Sequence, residues 1–240
     1  LPVLIAVSAA ALICQQPAKR DPGAAFPIVY TRLPAAAAGE WRPTEGASLR
    51  GYGEGGSIVL RLPAGGERVL TRGFASAADP EISFDGKRIL FAAKRAPGDA
   101  WNIFGMNADG SGVRQVTRDA GNCRNPVYTS PIFYLNDPAP VRQIAFVSDL
   151  AGERAEYGGA PATSLYTVRE DGSGLRRLTY TASSSFDPVV MPDGRLLFAS
   201  WMGRSARTLI ELFGVHNDGV DFAAFSGSQG ARLKAMPVVT

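Results

Sequence analysis

The sequence predicts an all-β protein of short four-stranded antiparallel sheets, and three observations carry that expectation. Gly and Pro are frequent, 27 and 17 of 240 residues, which suits many short strands joined by turns better than long helices. One segment occurs twice without gaps, Asn102-Ile-Phe-Gly-Met-Asn-Ala-Asp-Gly-Ser-Gly-Val-Arg-Gln-Val-Thr117 and Ser164-Leu-Tyr-Thr-Val-Arg-Glu-Asp-Gly-Ser-Gly-Leu-Arg-Arg-Leu-Thr179, with a third copy from Glu211 to Asp221. A second element precedes it, Asp79-Pro-Glu-Ile-Ser-Phe-Asp-Gly-Lys-Arg-Ile-Leu-Phe91 and Asp187-Pro-Val-Val-Met-Pro-Asp-Gly-Arg-Leu-Leu-Phe198.

Taken in chain order, Leu1 to Cys14 is apolar and free of charge but shorter than the ~20 residues a membrane-spanning helix needs. It reads as the remnant of a signal peptide, with a linker to residue 25. Cys14 opens a lipid-anchor reading that Ile13 weakens, because a small residue is expected there. The rest, 26–240, divides into units at roughly 26–72, 79–117, 125–179 and 186–228, and a further unit begins at 235–240. In the first unit Val29-Tyr30-Thr31 is the expected inner strand. The third unit is stretched by an insertion from Thr129 to Val141, with Phe133, Tyr134 and three prolines, and by a loop at Tyr157-Gly-Gly-Ala-Pro161.

Within a unit, Pro80 or Pro188 marks the start of an inner strand (Glu81 to Phe84, Val189 to Met191), since Pro cannot donate to a ladder. Asp85-Gly86 and Asp193-Gly194 then make a hairpin, Gly accepting positive φ and Asp capping the turn. Ile89-Leu90-Phe91 and Leu196-Leu197-Phe198 are apolar without alternation, the mark of a strand covered on both faces. Asp109-Gly110 and Asp171-Gly172 turn the third strand into an outer one that carries charge. A lone sheet of this size cannot bury both faces, so the units must stack around an axis. The fold is therefore a β-propeller of four-stranded antiparallel blades, with about four blades in this chain, a partial propeller.

Asp85 to Phe91 and Asn107 to Thr117 closely resemble the blade motifs of TolB-type β-propellers, a resemblance covering about residues 55 to 230. It implies a propeller of about six to eight blades in the full protein, a periplasmic or secreted location, and binding to a protein partner at the cell envelope. The stretch Ser185 to Phe198 is similar to the propeller region of proteins related to the hydrazine synthase alpha subunit. That family attaches haem through Cys-x-x-Cys-His. The nearest counterpart here is Cys123-Arg-Asn-Pro126 and the only His is His216, so neither haem nor another cofactor is expected.

The remaining chemistry is sparse. One His excludes sites that need two, and it flanks the Asn217-Asp218-Gly219 turn where the other copies have Asn107 and Arg169. Gly110-Ser-Gly and Gly172-Ser-Gly are hairpins rather than a nucleophile elbow, and the Asp-Gly turns hold too few carboxylates for calcium. The arginines are dispersed, Arg176-Arg177 being the only adjacent pair, so no stripe exists to follow a nucleic-acid backbone. What remains is the axis. The X-Pro positions put Asp79, Asn125 and Asp187 near one rim of a central channel, joined by Arg124, as a binding site. The functional expectation is a non-catalytic interaction module with no metal; the alternative is the propeller domain of a larger extracytoplasmic enzyme, either a propeller-hydrolase peptidase or a hydrazine synthase alpha subunit-like protein.

Overall fold

A computed structural model of the protein describes residues 26–35, 54–155, 161–181, 183–204, 207–225 and 237, with strands as the repeating element. Four antiparallel sheets follow one another. The first has β1 (Ile28–Arg32), β2 (Ser57–Arg61) and β3 (Glu67–Val69), and the second β4 (Ser76–Ile82), β5 (Arg88–Lys94), β6 (Asn102–Asn107) and β7 (Arg114–Gln115). The third has β8 (Cys123–Tyr128), β9 (Gln143–Ser148), β10 (Ser164–Arg169) and β11 (Arg176–Arg177). The fourth has β12 (Ser185–Val190), β13 (Leu196–Arg204), β14 (Arg207–Val215) and β15 (Ala223–Ala224). Each is a meander in sequence order.

Burial explains the unbroken apolar runs. Along β5, Ile89, Phe91 and Ala93 pack with Ile58 of the first sheet, whereas Leu90 and Ala92 join Ile144 and Phe146 of the third. Along β9, the intervening residues Ala145 and Val147 turn the other way onto Leu196 and Phe198 of the fourth. Successive side chains on a strand point to opposite faces, so a strand between two sheets must be apolar at every position. Each such Ile, Leu, Val or Phe contributes about 1.5–3 kcal/mol of burial, and the sheets hold together only as a stack.

Two polar devices recur along the chain, the first at the Asp-Gly turns of the second to fourth sheets and the second in the first three sheets. The Asp of each Asp-Gly turn accepts from the N–H two residues on: Asp109 from Ser111 at 2.8 Å, Asp171 from Ser173 at 2.9 Å, Asp193 from Arg195 at 3.1 Å and Asp218 from Val220 at 3.1 Å. This local bond fixes the turn and explains the repeated aspartate without a metal. The closing Thr of each outer segment accepts from the backbone of the strand inside it, Thr71 from Ile58 N at 3.0 Å, Thr117 from Ile103 N at 2.8 Å and Thr179 from Leu165 N at 2.9 Å.

That device also corrects one expectation. Because Thr71 caps Ile58 on β2 as Thr117 caps β6 and Thr179 caps β10, β2 is a third strand and β1, paired beside it, is a second strand, not the innermost one. The prolines are corrected too: β4, β8 and β12 begin at Ser76, Cys123 and Ser185, ahead of Pro80, Pro126 and Pro188. These prolines sit inside their strands, where the register shifts between Ala78 and Glu81, Arg124 and Val127, and Phe186 and Val189. A bulge is where a missing N–H costs the ladder nothing. The signal remnant with Cys14, and most of 235–240 and of the 157–161 loop, lie outside the described residues.

Candidate functional site

The three bulges build the site. At each, the residue before proline has positive φ: Asp79 at 55°, Asn125 at 49° and Asp187 at 50°. Among residues with a Cβ, Asp and Asn tolerate this left-handed region best, which explains their selection at all three positions. The innermost strands then bring Asp79, Asn125 and Asp187 to one concavity of about 260 Å³, lined also by their prolines, Glu81, Val127, Val189 and Pro237.

Arg124 has a different role. Its side chain is 1% exposed and lies behind the rim, donating through Nε at 2.6 Å and a terminal nitrogen at 3.1 Å to the Asp79 carboxylate of the preceding blade. The guanidinium carbon lies 4.3 Å from the centroid of Trp101, and Asp79 also accepts from Asn125 N at 3.0 Å. A bidentate, stacked and buried pair of this kind joins two blades through charge that is satisfied on both sides. Asp79 thus braces its rim, with both oxygens engaged by the third blade.

The carboxylate that the sequence reading missed is Glu81. It lines the concavity, and burial pushes its pKa up to about 7. The signal was present as a break in the repeat, since Val127 and Val189 occupy the matching position after the other two prolines.

The other candidates hold structural positions. Cys123 is buried, its thiol donates to Ala120 O at 3.3 Å, and desolvation pushes it up to about 12. His216 flanks the β14–β15 turn, bonding through its backbone to Val220, in a different sheet from Cys123. These two residues do not fit a covalent haem attachment, which needs a free thiol beside a ligating imidazole. Among the described residues, no group of three or more His, Cys, Asp and Glu is placed to hold a metal ion, and no helix is long and apolar enough to cross a membrane.

Sheets stacked face to face in chain order, with their first strands bulged around a shared concavity, define a class: the chain carries consecutive blades of a β-propeller. No family model matches the chain. Among individual proteins, it is similar to hydrazine synthase subunit alpha of Kuenenia stuttgartiensis, 29% identical over an alignment that covers 79% of this chain. The match spans 28% of that relative's length. The solved hydrazine synthase structure from the same organism matches with a TM-score of 0.70 and 25% identity, over 88% of this chain and 33% of that one. A TolB from Agrobacterium tumefaciens matches with a TM-score of 0.54 and 22% identity over 70% of this chain and 56% of that one, a likeness of fold.

Proposed function

We propose that this chain is a non-catalytic binding module that works outside the cytoplasm, in the periplasm or secreted, and that its axial concavity grips a cationic side chain of a protein partner. The observation that carries this reading is Glu81, a half-buried carboxyl whose pKa burial raises, in a concavity that Asp79, Asn125 and Asp187 also line. A desolvated carboxylate regains in a bound ammonium or guanidinium what it lost in water, and its ionised form then prevails at neutral pH. The Asp79–Arg124 brace keeps the rim in place before binding, which lowers the ordering cost of association.

A photo-crosslinking residue in place of Val189, in cells exporting the protein, tests this reading. One discrete protein adduct in the envelope fraction is expected, its yield falling about tenfold with Glu81→Gln. Absence of any adduct, or an adduct indifferent to Glu81, would overturn it.

A second reading is favoured by the 29% identity to hydrazine synthase subunit alpha: the blades are one domain of a longer, haem-bearing extracytoplasmic protein of that kind. An antibody against the blades would then detect a mature product several times larger than 25.4 kDa that also stains for haem. A haem-free product would dismiss this reading and leave the first intact.

A further inference from the structure

The insertion between β8 and β9 forms a second surface, whose residues are distinct from those of the axial concavity. The connection runs from 129 to 142, where the second and fourth sheets use only 83–87 and 191–195. It is a small hairpin closed by the Ile132–Val141 bridge, with reciprocal backbone bonds of 3.0 and 2.8 Å. Two side-chain contacts pin it to the blade: Gln143 donates to the Tyr134 hydroxyl at 3.0 Å, and Arg169 donates to Asp137 at 3.0 Å.

Alternation along this pinned segment turns Ile132 and Tyr134 inward and Phe133 and Leu135 outward, Phe133 being 77% exposed and Leu135 fully so. Phe133 therefore fills no gap between blades. At the base of the ridge lies a cavity of about 170 Å³ between the second and third blades, lined by Phe84, Tyr128, Pro131, Arg88, Arg142 and Glu170 among others. Phe84, on the neighbouring hairpin, is 75% exposed.

The charges around this cavity are unequal. Arg88 is held by Glu170 through bonds of 2.6 and 3.3 Å, Arg114 donates to the Glu170 carbonyl at 2.5 Å, and Asp85 is engaged by Ser83 and the backbone of Lys87. Arg142 lines the same cavity and is exposed, with no carboxylate on its guanidinium among the described residues. An unmatched arginine beside a rigid aromatic and aliphatic ridge complements one chemistry, a carboxylate flanked by apolar side chains.

We infer that the β8–β9 hairpin and the adjoining cavity dock an extended peptide segment of a partner protein, with an acidic side chain on Arg142 and its apolar neighbours on Phe133, Leu135 and Phe84. The surface is independent of the axial concavity, so either can fail without the other.

Displayed random peptides panned on the intact chain test the docking, with enriched sequences resynthesised and measured by fluorescence anisotropy. Enriched peptides are expected to carry Asp or Glu beside Phe, Leu or Ile. Replacing that acid by its amide, or making Arg142→Glu, is expected to weaken binding about fivefold, and Phe133→Ser about tenfold. All three substituted positions face solvent or lie in the peptide, so folding is not at stake, and Tyr180→Ser at the other end of the same sheet is expected to leave binding unchanged. No enrichment, enrichment of basic peptides, or binding indifferent to Arg142 and Phe133 would overturn the inference.

Discussion

The seam between the second and third blades and the seam between the third and fourth share one backbone plan and differ in what fills it. At the position before the bulge the third blade has Arg124, which reaches back to Asp79 and lies against Trp101. The fourth blade has Phe186 there, which packs with Ala199, Trp201 and Ile210 of its own sheet, and its seam with the third blade is closed by Ala145 and Val147 against Leu196 and Phe198. The turns differ in the same direction. A Cβ on Gly172 would lie 2.6 Å from the Val116 carbonyl of the second blade, while one on Gly219 would meet Leu178 of the third at an ordinary 3.5 Å. The repeat thus sets the strand path and the apolar packing of both seams, and a few residues decide whether charge and close backbone approach are added to it.

The largest effect that would break this comparison is at Arg124. Arg124→Met leaves Asp79 without its guanidinium in a buried setting, and a loss of about 3–5 kcal/mol is expected in urea unfolding. The double variant Arg124→Met with Asp79→Asn removes both charges while Asn keeps the left-handed backbone, and it is expected to recover most of the loss. If the double variant were as unstable as the single, the pair would not be the glue of that seam.

Next are the glycines. Gly172→Ala meets both a positive φ of 92° and a carbonyl, and should cost about 2–3 kcal/mol, whereas Gly219→Ala, with φ of 87° but adequate room, should cost about 1. Equal losses, measured as Tm shifts of the two variants, would remove the distinction between the seams.

Glu81 adds a pH dependence of comparable or smaller size. Its folded pKa of about 7 exceeds the ordinary 4.5, so the folded state holds the proton more tightly than the unfolded one. Stability therefore falls as pH rises from about 4.5 to 7, by about 2 kcal/mol, and Glu81→Gln should flatten that fall in denaturant titrations across this window. A bound cationic group would reverse the sign by favouring the ionised carboxylate. The smallest effect is expected at the shared cap: Thr117→Val leaves Ile103 N without its acceptor and should cost about 1 kcal/mol, with Thr179→Val costing the same in the neighbouring blade.

Much of this architecture was legible in the residues. The Asp-Gly turns, the apolar middle strands and the repeated Thr are local or periodic features, and periodicity reports burial on both faces before any sheet is seen. Misplacing Pro80 and Pro188 at strand starts had a definite cause, because a missing donor is equally compatible with a strand end and a bulge. The sequence groups Arg124 with the axial positions, but no sequence spacing states which blade a guanidinium reaches, and the structure holds it buried against Asp79 and Trp101. Glu81 was passed over because its importance lies in lost hydration, which depends on Pro126, Pro188 and Pro237 arriving from distant parts of the chain.

By itself the sequence determined the repeating sheet, its turns and the stacking of blades, because these follow from backbone rules and alternation acting over a few residues. Tertiary structure alone decided that Asp79 and Arg124 meet, that Glu81 stands half-buried in the axial concavity, and that Phe133 and Arg142 share a surface. Each of those depends on distances between segments that lie many residues apart, and Coulomb and hydration energies are set by those distances rather than by order along the chain.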